Sequence, residues 1–263
     1  MADVSSHTPG AFAWAELATV DQAGGKAFYS ALFGWAIDDQ AMGPDMTYTT
    51  FQLQGRAAAA AYTMRPEESA AAPPHWNMYV GVASADESAR RAQELGATVI
   101  APPFDVRDYG RMAILQDPTG AVFEIWQPKT HIGAQVLNEP GALCWSELTT
   151  TDTKAALAFY TGLFGWKAKE SAPAAAKDYT EFTVHGADRP SIGMLPMPDM
   201  GGPMPSFWMP YFQVADCDAS VARAAELGGS VMRAAEDIPQ TGRFAILRDP
   251  QGAGFAVFTF ASH

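Results

Sequence analysis

The chain has 263 residues, 48% of them apolar, with 29 acidic against 17 basic side chains and a net charge of −12. That apolar share supports a sizeable core and excludes global disorder. The acidic balance argues against nucleic acid or an anionic membrane as partner, since both need clustered Lys and Arg.

The elements follow in chain order. The opening "MADVSSHTPGAFAW" lacks a basic, then apolar, leader pattern, and no stretch is long and apolar enough to span a bilayer, so a soluble cytoplasmic protein is expected. "AWAEL" reads as a short strand leading to Asp21, the N-cap of a helix. That helix pairs Phe28 with Leu32 and Tyr29 with Phe33 before stopping near Gly34. "TYTTFQL" alternates like a strand, "AAAAAYTM" is a strand or turn, and "AAAPPH" is a Pro-rich loop before the strand "WNMYVGV". The next helix starts near Ser84 or Asp86 and buries Ala89, Ala92 and Leu95 before Gly96. "TVIAPP", "RMAILQD" and "AVFEIWQ" follow as strands.

The whole pattern then recurs. "FAWAELATVDQAGGKAFYSALFGW" from Phe12 matches "LCWSELTTTDTKAALAFYTGLFGW" from Leu143. Trp14 falls on Trp145 and Glu16 on Glu147, an offset of 131, which becomes 132 where Gly110-Arg111 falls on Gly242-Arg243. Two homologous domains are therefore expected, over 10–128 and 141–260, joined by a Gly- and Pro-containing linker over 129–140. Strand–helix–several strands appears twice per domain, which points to an α+β fold with curved mixed sheets rather than a doubly wound one. Cys144 and Cys217 form no Cys-x-x-Cys pair and read as free buried thiols.

The "AFYxxLFGW" and "ILxDPxG" stretches, each present twice, resemble the vicinal oxygen chelate superfamily of glyoxalase I, extradiol dioxygenases and bleomycin-resistance proteins. The resemblance implies tandem βαβββ modules, four in all, whose sheets curl into ligand-holding cups. It also implies metal-ligand places on the first strand, on the first strand of the second module, and four residues after the Gly of the last turn. Here those places hold Trp14, Asn77 and Glu124 in the first domain, and Trp145, Met209 and Ala256 in the second. One anionic ligand and one amide are too few for a divalent site, so no resident metal is expected. A makeshift set of Glu16, His75 and Glu124 is the alternative, with His75 otherwise an exposed loop residue.

Strand parity sorts the side chains. Trp14 and Glu16 share a face; so do Glu124 and Trp126, with Phe123 and Ile125 opposite. On the family analogy the first cup collects Trp14, Glu16, Asn77, Glu124 and Trp126. The second collects Trp145, Glu147, Met209, Ala256 and Phe258. Aromatic walls with a few polar points are the usual makeup of a small-molecule site. The alternative is that the tryptophans fill a collapsed cup. Glu16 and Glu147 need partners if buried, Arg111 and Arg243 being candidates, and Tyr48 and Tyr179 read as packing. The methionines Met194, Met197, Met200, Met204 and Met209 line the second cup or pack over it.

The expected function is binding of a small apolar or aromatic molecule in metal-poor cups. The rivals are a glyoxalase-type lyase or isomerase, or an oxygenase, using Glu124 as ligand or base; a drug-sequestering resistance protein; and an interaction protein with filled cups. Four modules suffice for two cups in one chain, so a monomer is favoured over a dimer. Which modules pair is open.

Overall fold

The computed structural model describes residues 4–44, 46–171, 178–198 and 204–261. The first lobe runs β1 (Phe12–Thr19), α1 (Gln22–Phe33), β2 (Ala36–Gly43), β3 (Met46–Leu53), β4 (Arg56–Thr63), α2 (Pro66–Ala71), β5 (His75–Gly81), α3 (Ala85–Glu94), β6 (Thr98–Val106), β7 (Gly110–Gln116) and β8 (Val122–Pro128). The second runs β9 (Leu143–Thr150), α4 (Thr153–Phe164), β10 (Lys167–Ser171), β11 (Tyr179–Thr183), β12 (Ile192–Pro196), β13 (Phe207–Gln213), α5 (Cys217–Glu226), β14 (Ser230–Ile238), β15 (Gly242–Arg248) and β16 (Gly254–Phe260).

Each lobe is one eight-stranded mixed sheet, in the orders β2-β3-β4-β1-β5-β8-β7-β6 and β10-β11-β12-β9-β13-β16-β15-β14. Two βαβββ modules meet at an antiparallel seam, β1 with β5 and β9 with β13. Modules therefore pair within each lobe, which the sequence left open.

The local signals explain most elements. Asp21 caps α1 by accepting from the Gly24 amide, and Gly34 ends it at φ +72°. Ser84 caps α3, whose buried face holds Ala85, Ala89 and Ala92. "RAAAAAYT" is strand β4. Two elements carried no readable signal. Edge strand β2 is mostly exposed and has no apolar period. The short α2 rests on Pro66 at its first turn and on Glu68, whose carboxylate accepts from the Arg65 amide at 2.8 Å. Both cysteines are free and buried. Among the described residues, no helix is long and apolar enough to cross a membrane.

The two sheets share one core that holds Leu17, Phe123, Ile125, Phe212, Phe255 and Val257. Phe12 meets Trp208 at 4.7 Å and Phe33 meets Phe212 at 5.1 Å between ring centroids. The repeated AFY tyrosines cross the boundary. Tyr29 donates to Asp249 at 3.1 Å and Tyr160 donates to Asp117 at 2.9 Å. Behind them, Trp76 donates to Tyr29 at 3.0 Å and Trp208 to Tyr160 at 2.9 Å. Each DPxG aspartate thus ties its own turn and the other lobe's helix together.

The segment between the lobes is built into the first one. The Ala134 amide donates to Ala13 O and the Gln135 amide to Ala57 O, both at 2.7 Å, where β1 has a register shift and has not yet met β4. Gly133 fits at φ +98° because a Cβ there would lie 2.4 Å from Ala13 O.

Candidate functional site: two cups of unlike charge

The face of the first sheet away from the shared core holds the residues that strand parity placed there. Trp14, Tyr79, Met112, Trp126 and Ala134 form a buried cluster separate from the shared core. Glu16 stands opposite Asn77 across the seam, and Glu124 lies between Tyr79 of β5 and Ile114 of β7. Parity works because the shared core claims Ala15, Leu17, Phe123 and Ile125 on the opposite face.

Glu16 is solvated by neutral donors. Tyr79 donates to its Oε1 at 2.9 Å, and Tyr48 and Asn77 also hydrogen-bond it. The Trp14 indole in turn donates to Tyr48 at 3.1 Å. Burial holds the Glu16 carboxyl above its ordinary range, with the phenols opposing that shift. The second lobe repeats the device: Tyr179 and Tyr211 each donate to Glu147 at 2.6 Å, and Trp145 donates to Tyr179 at 3.1 Å. Burial likewise raises the Glu147 carboxyl, against these two phenols and the positive charge of Arg233.

The expected arginine partners are elsewhere. Arg111 pairs with Asp86 at 2.8 Å, and Arg243 with Asp218 at 2.8 Å, both on the sheet's outer side beside α3 and α5. Tyr48 and Tyr179, read as packing, are hydrogen-bond donors of the site. A phenol has an apolar ring and one donor, so it can satisfy a buried carboxylate without importing charge.

Glu124 is the exception. It is 3% exposed, and its Oε2 has no hydrogen-bond partner among the described residues. Burial, and then the nearby Glu16 charge, push this carboxyl well above its ordinary range. The carboxyl is held in an apolar setting with Tyr62 and Tyr79 close by.

The linker supplies a wall that the sequence did not reveal. The His131 ring lies edge-on to Trp14 at 4.9 Å and near Trp126 at 5.9 Å, and Trp126 donates to His131 O at 2.9 Å. Burial, then the neighbouring His7, lower the His131 pKa to about 4, so the ring is neutral, and its buried Nε2 has no partner among the described residues. The remaining expected residues fall into the second cup. Met209 and Trp145 border a buried cluster of Cys144, Tyr211, Phe244, Ala256 and Phe258. Met194 is instead in the shared core, and Met200 lies outside the described residues.

The rim of the first cup is closed by its own sheet edges. Tyr109 donates to Gln40 Oε1 at 3.3 Å and Arg107 to Met42 O at 2.9 Å, joining the β6–β7 turn to β2, the far edge strand. Cavities of about 220 Å³, against His7 and Trp126, and about 310 Å³, against Phe33 and Arg223, both lie outside the pair of glutamates.

A resident divalent metal does not fit these residues. The three family positions hold Trp14, Asn77 and Glu124, and only the carboxylate is a strong donor. His75, the alternative donor, is engaged with Pro73 O at 2.8 Å and Asn77 Oδ1 at 3.0 Å. Among the described residues, no three His, Cys, Asp or Glu side chains are grouped to hold an ion.

The duplicated module, its seam and its cup define a class, and comparison with known proteins agrees. The model of the Glyoxalase/Bleomycin resistance protein/Dioxygenase superfamily matches residues 11–125 and 142–257, and the chain belongs to that family. It is similar to "Putative glyoxylase CFP32" of Mycobacterium bovis, 41% identical over 254 residues and covering 96% of each chain. It is also similar to "Anthracycline biosynthesis protein DauV" of Streptomyces sp. (strain C5), 38% identical over 95% of this chain and 93% of that one. Among solved structures, the Mn(II)-bound glyoxalase from Novosphingobium aromaticivorans shares the fold at a TM-score of 0.65, with 13% identity over 95% of this chain and 82% of that one. The 2,3-dioxygenase LapB from Pseudomonas sp. KL28 does so at 0.63, with 16% identity over 100% and 94%.

Proposed function

We propose that the first cup binds a small aromatic molecule without a resident metal, with Glu124 as its polar anchor. One observation carries this: a buried carboxyl with an oxygen that has no partner among the described residues, set in a wall of Trp14, Tyr79 and Trp126. An unpartnered buried polar atom costs about 1–3 kcal/mol, and a ligand that bonds it recovers that cost. Flat ring walls with few polar points favour a planar apolar body. The name of the anthracycline biosynthesis relative supports a polycyclic aromatic ligand for this chain as well.

A second reading has its own support. A buried carboxyl whose pKa is raised by burial is suited to proton transfer, so Glu124 could act as general acid or base in a glyoxalase-type lyase or isomerase step. The name of the glyoxylase relative agrees with that reading. A sequestering protein would need only the binding.

Tryptophan fluorescence titrated with planar quinones and polycyclic phenols tests the binding. Saturable quenching is expected from Trp14 and Trp126, and it weakens in Glu124→Gln. No response across such a panel overturns the proposal. Turnover of a bound compound that disappears in Glu124→Gln would favour the enzyme reading over sequestration.

A further inference from the structure

We propose that the first cup takes a ligand carrying a protonated amine, with the ammonium at Glu124 and Glu16 and the apolar body against Trp14 and Trp126. This ligand class presupposes the binding role proposed above and adds the charge of the occupant.

The two lobes fill one layer of their sheets with opposite charge. In the first, Ala101 of β6 pairs with Ile114 of β7, which pairs with Glu124 of β8. In the second, Arg233 of β14 pairs with Ile246 of β15, which pairs with Ala256 of β16. The acid on one side of the isoleucine in the first lobe is replaced by a base on its other side in the second. Arg233 sits 4.9 Å over the Phe244 ring, is ion-paired to Glu236, and acts on Glu147 through space. The second sheet therefore carries its own cation in that layer.

Among the described residues, no cation is paired with Glu16 or Glu124 in the first cup. Its two carboxyls face tyrosines, Asn77 and each other, with Glu68 of α2 adding further negative charge. Cations of this lobe pair outside the cup: Lys26 with Asp39, Arg56 with Glu139, Arg65 with Glu68, Arg90 and Arg91 with Glu94, Arg111 with Asp86 and Lys129 with Asp105. Arg107 is bound to Met42 O at the rim. Phenol, indole and carboxyl groups without an internal cation form a complementary setting for an organic ammonium, which gains from ring faces as well as from charge. Two carboxyls walled by rings are a poor setting for a hard metal ion, which wants six or so oxygen ligands (roughly, for calcium and magnesium). The net charge of −12 also favours the approach of a cation.

Calorimetric titration of the full-length protein with two matched probes tests this. The probes are 2-(2-naphthyl)ethylamine and the uncharged 2-(2-naphthyl)ethanol. The amine should bind about ten-fold more tightly than the alcohol at neutral pH, as expected for a charge-assisted contact with ring faces beside it. Glu124→Gln should remove the preference while leaving alcohol binding. Ala101→Arg, which copies the second lobe's cation, should remove it as well, so the test survives if either variant misfolds. Equal binding of the two probes overturns the amine and leaves the aromatic cup standing. Binding of neither overturns both. A preference that persists in both folded variants puts the amine elsewhere and overturns the assignment. Tight one-to-one binding of manganese chloride that blocks the amine would give the acids to an inorganic cation instead.

Discussion

The Tyr160 hydroxyl donates to Asp117 Oδ2 at 2.9 Å, from the first helix of the second lobe to the last turn of the first. The other oxygen of Asp117 accepts the amides of Thr119 and Ala121, which shape the turn that launches β8. Glu124 lies on that strand four residues past Gly120. A side chain of one lobe thereby supports the strand that carries the acid of the other.

Tyr160→Phe should cost about 1–2 kcal/mol, because it leaves Asp117 Oδ2 buried without its donor. Tyr29→Phe should cost a similar amount through Asp249. Urea unfolding checks both. The two lobes share one core, so each variant should still unfold in a single transition. Two separated transitions would show that the lobes do not stabilise each other.

Glu124 sets one pH dependence. Its native pKa is raised by burial and by Glu16, so its contribution to stability is full below the ordinary carboxyl range and is lost as pH rises through the native value. Wild type should therefore lose stability from about pH 4 upward. Glu124→Gln should flatten that limb and gain about 1 kcal/mol at neutral pH by removing a charge-prone buried group. Parallel stability curves for the two proteins would contradict the burial argument.

His131 sets the opposite one. Its native pKa, about 4 against an ordinary 6.5, means the neutral ring is favoured in the folded state. That stability is present above the ordinary value and is lost as pH falls through the native one. His131→Phe keeps a ring against Trp14 and Trp126. The melting temperature of that variant should fall less than that of wild type between about pH 6.5 and about pH 4.

Gly133→Ala should destabilise by about 1–3 kcal/mol, the range for a strained backbone, because φ +98° and the Ala13 carbonyl both exclude a side chain. Amide exchange should rise first at Ala134 and Gln135, whose hydrogen bonds hold the linker to the first lobe. Unchanged exchange there would mean that the linker adapts without loss.

The duplication, the element order and the facing of side chains were legible in the residues alone. These are local or periodic properties: strand parity put Trp14, Glu16 and Glu124 on one side and Leu17 and Ile125 on the other, and the core obeys it. Edge strand β2 and short α2 escaped because neither carries an apolar period. Only the tertiary structure decided what meets across the chain. It paired β1 with β5, gave Glu16 and Glu147 phenols in place of arginines, brought His131 from the linker against Trp14, and tied Tyr160 to Asp117. Those contacts join residues far apart in sequence, and a repeat offers several equivalent partners for each. The choice among them is made by shared burial, which no local pattern encodes.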